Sequence, residues 1–276
     1  MRGFVITILS VSLIVLLLAL TLSLGNTQRG TERALIEPLP LTYAAFLLDD
    51  VAFEFNSIVG PRLGFEERND SMTVTVIDGL DGYNHSAEIS AYDSFLRGEV
   101  ADRTASNITA NFTNLTGGVI RLFIDEDYVY TNDHTANESL FTRAGGTGAT
   151  SYEINLTTTA VRANVTHITF NGSGTMNVTI RYTDQNGTAV EEGSVFPGQQ
   201  NVFKLDYANG GSIRITLGPE SGNSGSLRMK ATGIEADTAW SVVLPPLNAT
   251  KKMGYEYDAT IGYVQGSVAK RCRIGK

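Results

Sequence analysis

Hydrophobic residues follow three successive patterns along the chain, and the first is a continuous run. The 21 residues from Phe4 to Leu24 carry no charge. As a helix they would be about 31 Å long, which matches the roughly 30 Å hydrocarbon layer of a bilayer. The run is therefore predicted to be a transmembrane helix.

The second pattern is a helical repeat of hydrophobic positions between Tyr43 and Val59. It predicts an amphipathic helix of about 17 residues, with Thr42 as its N-cap and Gly60 after its last residue. The preceding segment is expected to be a polar stalk that Pro38 and Pro40 interrupt. The apolar face is predicted to pack on the rest of the protein, and it comprises Ala44, Leu47, Leu48, Val51, Phe55, Ile58 and Val59.

The third pattern begins at Met72, where apolar and polar residues alternate in short runs separated by Gly, Asn and Asp. Such runs predict strands joined by turns, and Asp184–Gly187 fits a tight hairpin connection. The predicted fold class is mainly β, an antiparallel and jelly-roll-like β-sandwich. The predicted strands are residues 72–77, 118–124, 127–131, 152–158, 165–170, 175–183, 201–207, 212–217, 226–231 and 239–244.

Two segments of the β region are less regular. Ser86–Val100 is predicted to add a helix or an edge element, and Gly145–Gly148 is either a domain linker or a long turn. One sandwich is preferred, because a split would leave the first half short of strands. The predicted organisation is a transmembrane anchor (1–25), a stalk with an amphipathic helix (26–60), a β-sandwich ectodomain (61–250), and a C-terminal strand with a basic tail (251–276).

The charges that flank the hydrophobic run predict its orientation. Arg2 precedes the run, whereas the first charged residue after it is Arg29. This arrangement favours a cytoplasmic N-terminus and an extracellular C-terminal domain. A cleavable signal peptide is the alternative, because Ser23 and Gly25 are small residues where a signal peptidase acts. Since the run is longer than usual for a signal peptide, we expect a single-pass anchor in the cell membrane.

Asparagine usage points to the secretory side of a membrane. Twelve of the 18 asparagines begin an Asn-x-Ser/Thr sequon, far more than chance would give. The motif accepts N-linked glycans only on that side. The alternative is a Thr- and Asn-rich β protein, which would explain part of the excess. The candidate glycosylation sites are Asn69, Asn84, Asn107, Asn111, Asn114, Asn137, Asn155, Asn164, Asn171, Asn177, Asn186 and Asn248.

The net charge of −8 is unevenly spread, since the last 26 residues hold six basic and two acidic side chains. This tail is expected to be disordered and solvated, or to contact an envelope glycan or an acidic protein partner. Nucleic acid is not expected as a partner, because no other basic segment has interleaved aromatics. Cys272 is the only cysteine, and it is expected to be a free thiol or an intermolecular link.

Motifs of known catalytic chemistry are absent from the sequence. His85, His134 and His167 lie in no metal-binding or triad spacing, and no nucleophile elbow, phosphate-binding loop or dinucleotide fingerprint occurs. The chain is therefore not expected to be an enzyme, and no catalytic residue, cofactor or metal ligand is predicted. Two acidic clusters could supply oxygen ligands to Ca²⁺ but are more simply polar turns, namely Asp125–Asp127 with Asp133 and His134, and Asp78–Gly82.

Two further features bear on carbohydrate chemistry. Glu256 and Asp258 would lie on one face of a strand, as paired carboxylates do in retaining glycosidases, but no third acid follows at strand spacing. An exposed strand is the expected structure there. Trp240, the sole tryptophan, is expected in the core rather than on a sugar-binding surface.

The chain begins with a very short basic leader that ends in glycine, Met1-Arg2-Gly3, and a hydrophobic run follows it. A further predicted helix then precedes a β-rich head with sequons. In these features the first 60 residues resemble archaeal type IV pilin-like proteins. The resemblance implies cleavage after Gly3 and assembly of the apolar helices into a filament core. The chain departs from the family at Ile8, where the family has a glutamate.

Together these patterns predict a membrane-anchored, N-glycosylated cell-surface protein whose β-sandwich has a structural, adhesion or binding role. A self-associating, pilin-like filament subunit is the first alternative. An anchored carbohydrate-active enzyme is the second. The expected partners are the lipid bilayer, through Phe4 to Leu24, and an envelope glycan or protein.

Overall fold

The computed structural model describes residues 38–59, 61–68, 70–81, 85–124, 127–219, 223–246, 254–265 and 268–275. The predicted transmembrane run Phe4–Leu24 lies outside these ranges. Within them, none of the helices has the length and apolar character needed to cross a bilayer.

The described residues form a mainly β protein with a few helices. The helices are α1 (Pro38–Val59), α2 (Ser86–Phe95), α3 (Ala101–Thr104) and α4 (Thr113–Thr116), with a π-helical turn at Leu96–Val100. The strands are β1 (Arg62–Arg68), β2 (Ser71–Leu80), β3 (Asn107–Asn111), β4 (Val119–Ile124), β5 (Tyr128–Asp133), β6 (Glu138–Arg143), β7 (Ser151–Thr157), β8 (Arg162–Thr166), β9 (Met176–Asp184), β10 (Gly187–Val195), β11 (Asn201–Tyr207), β12 (Ser212–Leu217), β13 (Leu227–Thr232), β14 (Ala236–Leu244), β15 (Tyr255–Gln265) and β16 (Val268–Gly275).

The strands form two sheets that pack as a sandwich. The six-stranded sheet has the order β1-β2-β14-β7-β9-β10. The larger sheet has the order β16-β15-β4-β5-β6-β13-β12-β11-β8, and β3 also pairs with β15. The expected antiparallel pairing holds except that β7 and β9 are parallel partners. Because β8 belongs to the larger sheet, the chain leaves the smaller sheet after β7 and re-enters it in the same direction.

Aromatic side chains from both sheets meet in the core. The Trp240 ring on β14 lies 5.2 Å from the Phe141 ring on β6 and 5.8 Å from the Tyr130 ring on β5, measured between centroids. Tyr182 on β9 lies 5.5 Å from Phe203 on β11. Trp240 is 1% exposed, so its predicted core position is confirmed. Such rings bury large apolar areas and dominate the energy of a core.

The alternating pattern predicts most strands correctly. Along β9, Met176 and Val178 are buried while Asn177 is exposed, and Asp184 pairs with Gly187 in the predicted hairpin. The predicted strand 165–170 is displaced, since β8 ends at Thr166. Strands β1, β3, β6, β10 and β16 lie outside the predicted set, because Glu, Asn, Gly and Lys weaken a β pattern, whereas β15 contains the strand expected at Glu256–Asp258.

Helix α1 packs on the larger sheet, as its pattern predicts. Phe55 is fully buried, with its ring 5.3 Å from that of Phe112 and 5.1 Å from that of Tyr257. The helix begins at Pro38 rather than near Thr42, so the expected interruption of the stalk by prolines is wrong at this point. Prolines fit a first turn because the backbone N–H groups there have no helical acceptor.

The segment Gly145–Gly148 is a turn between the sheets and not a domain linker. It connects β6 of the larger sheet to β7 of the smaller one. Thr147 is fully buried there, donating from Oγ1 to the Gly225 carbonyl at 2.9 Å and accepting at its own carbonyl from the Tyr128 hydroxyl at 2.9 Å. Gly146 has φ +109°, a conformation that favours glycine.

Two other irregular segments also have defined structure. Ser86–Val100 forms α2 and the π-helical turn, which confirms the helical option. The expectation of a disordered basic tail is wrong for Val268–Gly275, which forms β16 and pairs with β15, although its Lys270 and Arg271 side chains are exposed. Cys272 lies opposite Ile261 in this pair, and burial raises the pKa of its thiol, which disfavours the reactive thiolate.

Candidate functional site

A cleft of about 370 Å³ opens at one end of the sandwich. Its walls include the end of α1, residues of β2 and β14, and the turn after β5. Three aspartates and two histidines line it: Asp78, Asp81, Asp237, His85 and His134. Polar groups converging in a cleft are the usual starting point for locating a site.

The Asp78 carboxylate in this cleft accepts three hydrogen bonds. It lies on β2 of the smaller sheet, whereas Tyr130 and Asn132 lie on β5 of the larger sheet. The Tyr130 hydroxyl donates to Asp78 Oδ2 at 2.7 Å, and Asn132 Nδ2 donates to the same oxygen at 2.8 Å. The Gly79 backbone N–H donates to Oδ1 at 2.8 Å. The Asp78 cluster, meaning Asp78, Tyr130 and Asn132, therefore ties the two sheets together.

Burial changes the proton affinity of the Asp78 cluster. It raises the pKa of Asp78 above the usual range, and the hydrogen bonds from Asn132 and Tyr130 oppose that shift. Burial, together with the neighbouring Asp78 carboxylate, raises the pKa of Tyr130 well above its ordinary value. Asp78 thus takes up a proton at a higher pH than an exposed aspartate does, while Tyr130 remains a hydrogen-bond donor.

A second pair of groups lies beside the Asp78 cluster. His134 is 4% exposed, and its Nδ1 lies 3.2 Å from Asp81 Oδ1 and 3.3 Å from the Asp81 carbonyl oxygen. The His85 ring packs edge-on against the His134 ring at 5.7 Å between centroids. Burial lowers the pKa of His85, and the electrostatic interaction with the neighbouring His134 ring lowers it further.

The structure brings together only some residues of the two acidic clusters that were weighed as calcium ligands. Asp78, Asp81 and His134 share the cleft, but the Asp133 carboxylate accepts bonds from the Thr135 N–H and hydroxyl of its own turn. Asp125 and Glu126 lie outside the described residues. Among the residues that are described, no group of three or more His, Cys, Asp or Glu side chains is arranged to hold a metal ion. A buried carboxyl beside an imidazole can bind and release protons, and here it also holds the sheets together.

The paired carboxylates of β15 lie on the surface, with partners on neighbouring elements. Glu256 Oε2 lies 3.4 Å from Arg273 Nη1, and Asp258 Oδ2 accepts a hydrogen bond from Asn114 Nδ2 at 2.8 Å.

The sequence analysis did not identify Tyr130 and Asn132 as residues of the cleft. The available signal was Asn132 itself, a polar residue at an inward position of β5, which is 0% exposed.

The sequon asparagines lie on the surface of the described structure. Asn137 and Asn155 are partly exposed, and none of the nine that are described is buried. Asn69, Asn84 and Asn248 lie outside the described residues. The exposed sequon asparagines are Asn107, Asn111, Asn114, Asn164, Asn171, Asn177 and Asn186.

Comparison with known proteins gives no match: no family model, no curated protein and no solved structure is similar to this chain. Function is therefore inferred from the chain's own residues. Two properties of the described surface are useful for that purpose, the positions of the sequon asparagines and the distribution of charge.

Proposed function

We propose that this chain is a membrane-anchored, N-glycosylated cell-surface protein whose β-sandwich ectodomain has a structural, adhesion or binding role. Phe4–Leu24 is the proposed anchor, and the C-terminal domain is proposed to lie outside the cell. The observation that supports this proposal is the surface position of the sequon asparagines. A jelly-roll-like connection of the strands stays a prediction.

A glycan can be carried only by an asparagine whose side chain faces solvent. All nine described sequon asparagines meet that condition at least in part, whereas Asn132, which begins no sequon, is fully buried. Residues of a strand alternate between the two faces of its sheet. Asn155 on β7 and Asn177 on β9 both take the outward positions of their strands. Their exposure permits glycan attachment, and the number of sequons, 12 of 18 asparagines, favours attachment over a chance product of Thr- and Asn-rich strands.

Asn137 is the described sequon position least suited to a glycan. It has φ +49° in the turn between β5 and β6. When its side-chain amide is oriented to satisfy both polar atoms, the nitrogen donates to the His134 carbonyl at 2.8 Å and to the Asp81 carbonyl at 3.2 Å. We expect Asn137 to stay unmodified while exposed sites such as Asn177 are occupied.

The test uses protein from its native membrane. We expect the full chain to need detergent for release, and glycopeptide mass spectrometry to find glycans at exposed sequons. Asn177→Gln should remove one glycan mass, whereas the control Asn209→Gln, at an exposed asparagine outside any sequon, should not change the mass attributable to glycans. Release without detergent as an unmodified chain would contradict the proposal.

A filament subunit is the second candidate, and one feature of α1 favours it. Phe46 and Phe53 are 64% and 78% exposed, and their spacing of seven residues places them on the same outward side of the helix. Exposed aromatic residues on one helix face are typical of a surface that packs against another chain. Mass spectrometry of the N-terminal peptide tests this: a chain that begins at Phe4 supports pilin-type processing, and one that begins at Met1 opposes it.

A further inference from the structure

The outer face of the larger sheet carries a line of like charges across three adjacent strands. Lys204 on β11 lies directly opposite Arg214 on β12, and Arg214 lies directly opposite Lys230 on β13. Like charges at directly opposed positions of an antiparallel pair destabilise a sheet. This basic row, Lys204, Arg214 and Lys230, is therefore an arrangement that folding alone does not favour.

A depression of about 140 Å³ adjoins the basic row. It is lined by Arg214, Thr216, Arg228 and Lys230. Arg228 lies opposite Thr216 in the neighbouring row of side chains, so two guanidinium groups, one ammonium group and one hydroxyl surround the same space. Guanidinium forks bind carboxylate and sulfate groups through paired hydrogen bonds.

Several of these cations have partners within the described structure. Glu138 lies 2.8 Å from Arg228 Nη2 and 3.4 Å from Lys230 Nζ, Asp206 lies 2.8 Å from Lys204 Nζ, and Arg214 Nε donates to Thr216 Oγ1 at 3.4 Å. Four cations nevertheless gather on one face of a protein whose net charge is −8. Such a local concentration of positive charge attracts anionic ligands and raises their rate of encounter.

The spacing and surroundings of the row define the kind of anion. Neighbouring strands lie about 4.8 Å apart, so the three cations form a ladder that matches a polymer with a charge on each sugar. The outward residues of β11, β12 and β13 include no aromatic side chain on which a nucleic-acid base could stack. The same strands are also free of sequons, since none occurs between Asn186 and Asn248.

We propose that the basic row and its depression bind an acidic polysaccharide, with a carboxylate or sulfate group held between Arg214, Arg228 and Lys230. The lack of sequons on these strands supports the site only if the other sequons carry glycans, so this part of the argument rests on the proposed function. The charge ladder and the depression support it independently. A soluble but polysaccharide-binding chain would thus contradict the proposed anchor and leave this site intact.

Arg214→Glu is the test variant and Arg181→Glu is its matched control. Both arginines are exposed and central in their strands, but they lie on the outer faces of opposite sheets, and both changes alter the net charge equally. Arg214→Glu places a carboxylate between two lysines, so loss of folding is not expected. Thermal unfolding of both variants verifies that they fold.

Binding of the full chain in detergent is measured with polygalacturonate and dextran sulfate, and uncharged dextran serves as the reference. Arg214→Glu should weaken binding at least about tenfold, because a charge-assisted contact is lost and a repulsive one is gained. Arg181→Glu should change it by less than about twofold. The two polymers show whether carboxylate or sulfate is preferred.

Three results would overturn the proposal. Equal weakening by both variants would show unspecific attraction to the whole surface. Duplex DNA that binds as tightly as the polysaccharides at equal charge concentration would show a general polyanion or nucleic-acid site. Self-association that Arg214→Glu abolishes, in the absence of any polysaccharide, would assign the row to a second copy of the acidic chain.

Discussion

The Asp78 cluster and the basic row both place charged groups on β-strands, but the cluster lies between the two sheets and the row lies on an outer face. Asp78 accepts three hydrogen bonds, one from the adjacent Gly79 N–H and two across the core from the opposite sheet. Arg214 instead lies between Lys204 and Lys230 on neighbouring strands. Charge between the sheets therefore contributes to folding through its hydrogen bonds, while the like charges on the outer face of the larger sheet fit the proposed binding site.

The largest expected effect comes from removing the partly buried Asp78 carboxylate. Asp78→Ala leaves the Tyr130 hydroxyl and the Asn132 amide without their shared acceptor, and such groups are costly to bury unpaired. We expect a loss of about 3–5 kcal/mol in the free energy of unfolding. The midpoint and slope of urea denaturation measure it.

Asp133→Ala is the control for that substitution. The Asp133 carboxylate bonds only within its own turn, to the N–H groups of Thr135 and Ala136 and to the Thr135 hydroxyl. We expect a loss of about 1 kcal/mol, because these donors can bond to water instead. Asp78→Asn should fall between the two, since its amide oxygen can still accept from Tyr130 and Asn132. Equal losses for Asp78→Ala and Asp133→Ala would contradict this prediction, because the bonds between the sheets would then contribute no more than those of a surface turn.

A smaller effect of opposite sign is expected on the outer face. Arg214→Glu converts two repulsive pairs into attractive ones, with Lys204 and with Lys230. Exposed cross-strand pairs contribute a few tenths of a kcal/mol each, so we expect a gain of about 0.5–1 kcal/mol. Arg181→Glu should change stability by less than about 0.5 kcal/mol, since Arg181 lies opposite the uncharged Val190 and Asn155. A destabilised Arg214→Glu would mean that Arg214 supports the fold.

The sequence predicts local features of both regions but not the contacts that define them. Alternation predicts β11, β12 and β13, and two successive hairpins then bring Lys204, Arg214 and Lys230 together, once their register is known. Register depends on the exact turns, which alternation does not specify.

The Asp78 cluster is harder to predict. Residues 52 and 54 positions apart meet across two sheets, so their contact depends on the strand order of the whole sandwich. The Asp78–Gly82 turn and the His134 turn appear in the sequence as two separate acidic segments. Only the fold shows that Asp81 and His134 face each other.

The smallest expected effect is a change in how stability depends on pH. Because the pKa of His85 is lowered in the folded protein, the unfolded chain binds more protons as the pH falls through the ordinary histidine value of about 6.5. His85 therefore reduces stability progressively below that pH. Asp78 has the opposite influence, because its raised pKa lets the folded protein take up a proton before the unfolded chain does.

These opposing influences predict opposite changes in two variants. His85→Gln should lose less stability than the unaltered protein between pH 7 and pH 5, because the proton uptake of the unfolded state is reduced. Asp78→Asn should lose more on acidification, because the offsetting uptake by the folded state is gone. Urea denaturation at several pH values gives both slopes, and parallel curves for all three proteins would show that neither group titrates differently on folding. If the slopes separate as expected, protons bind to Asp78 and His85 differently in the folded and unfolded states, and the cleft is the part of the molecule that responds to pH.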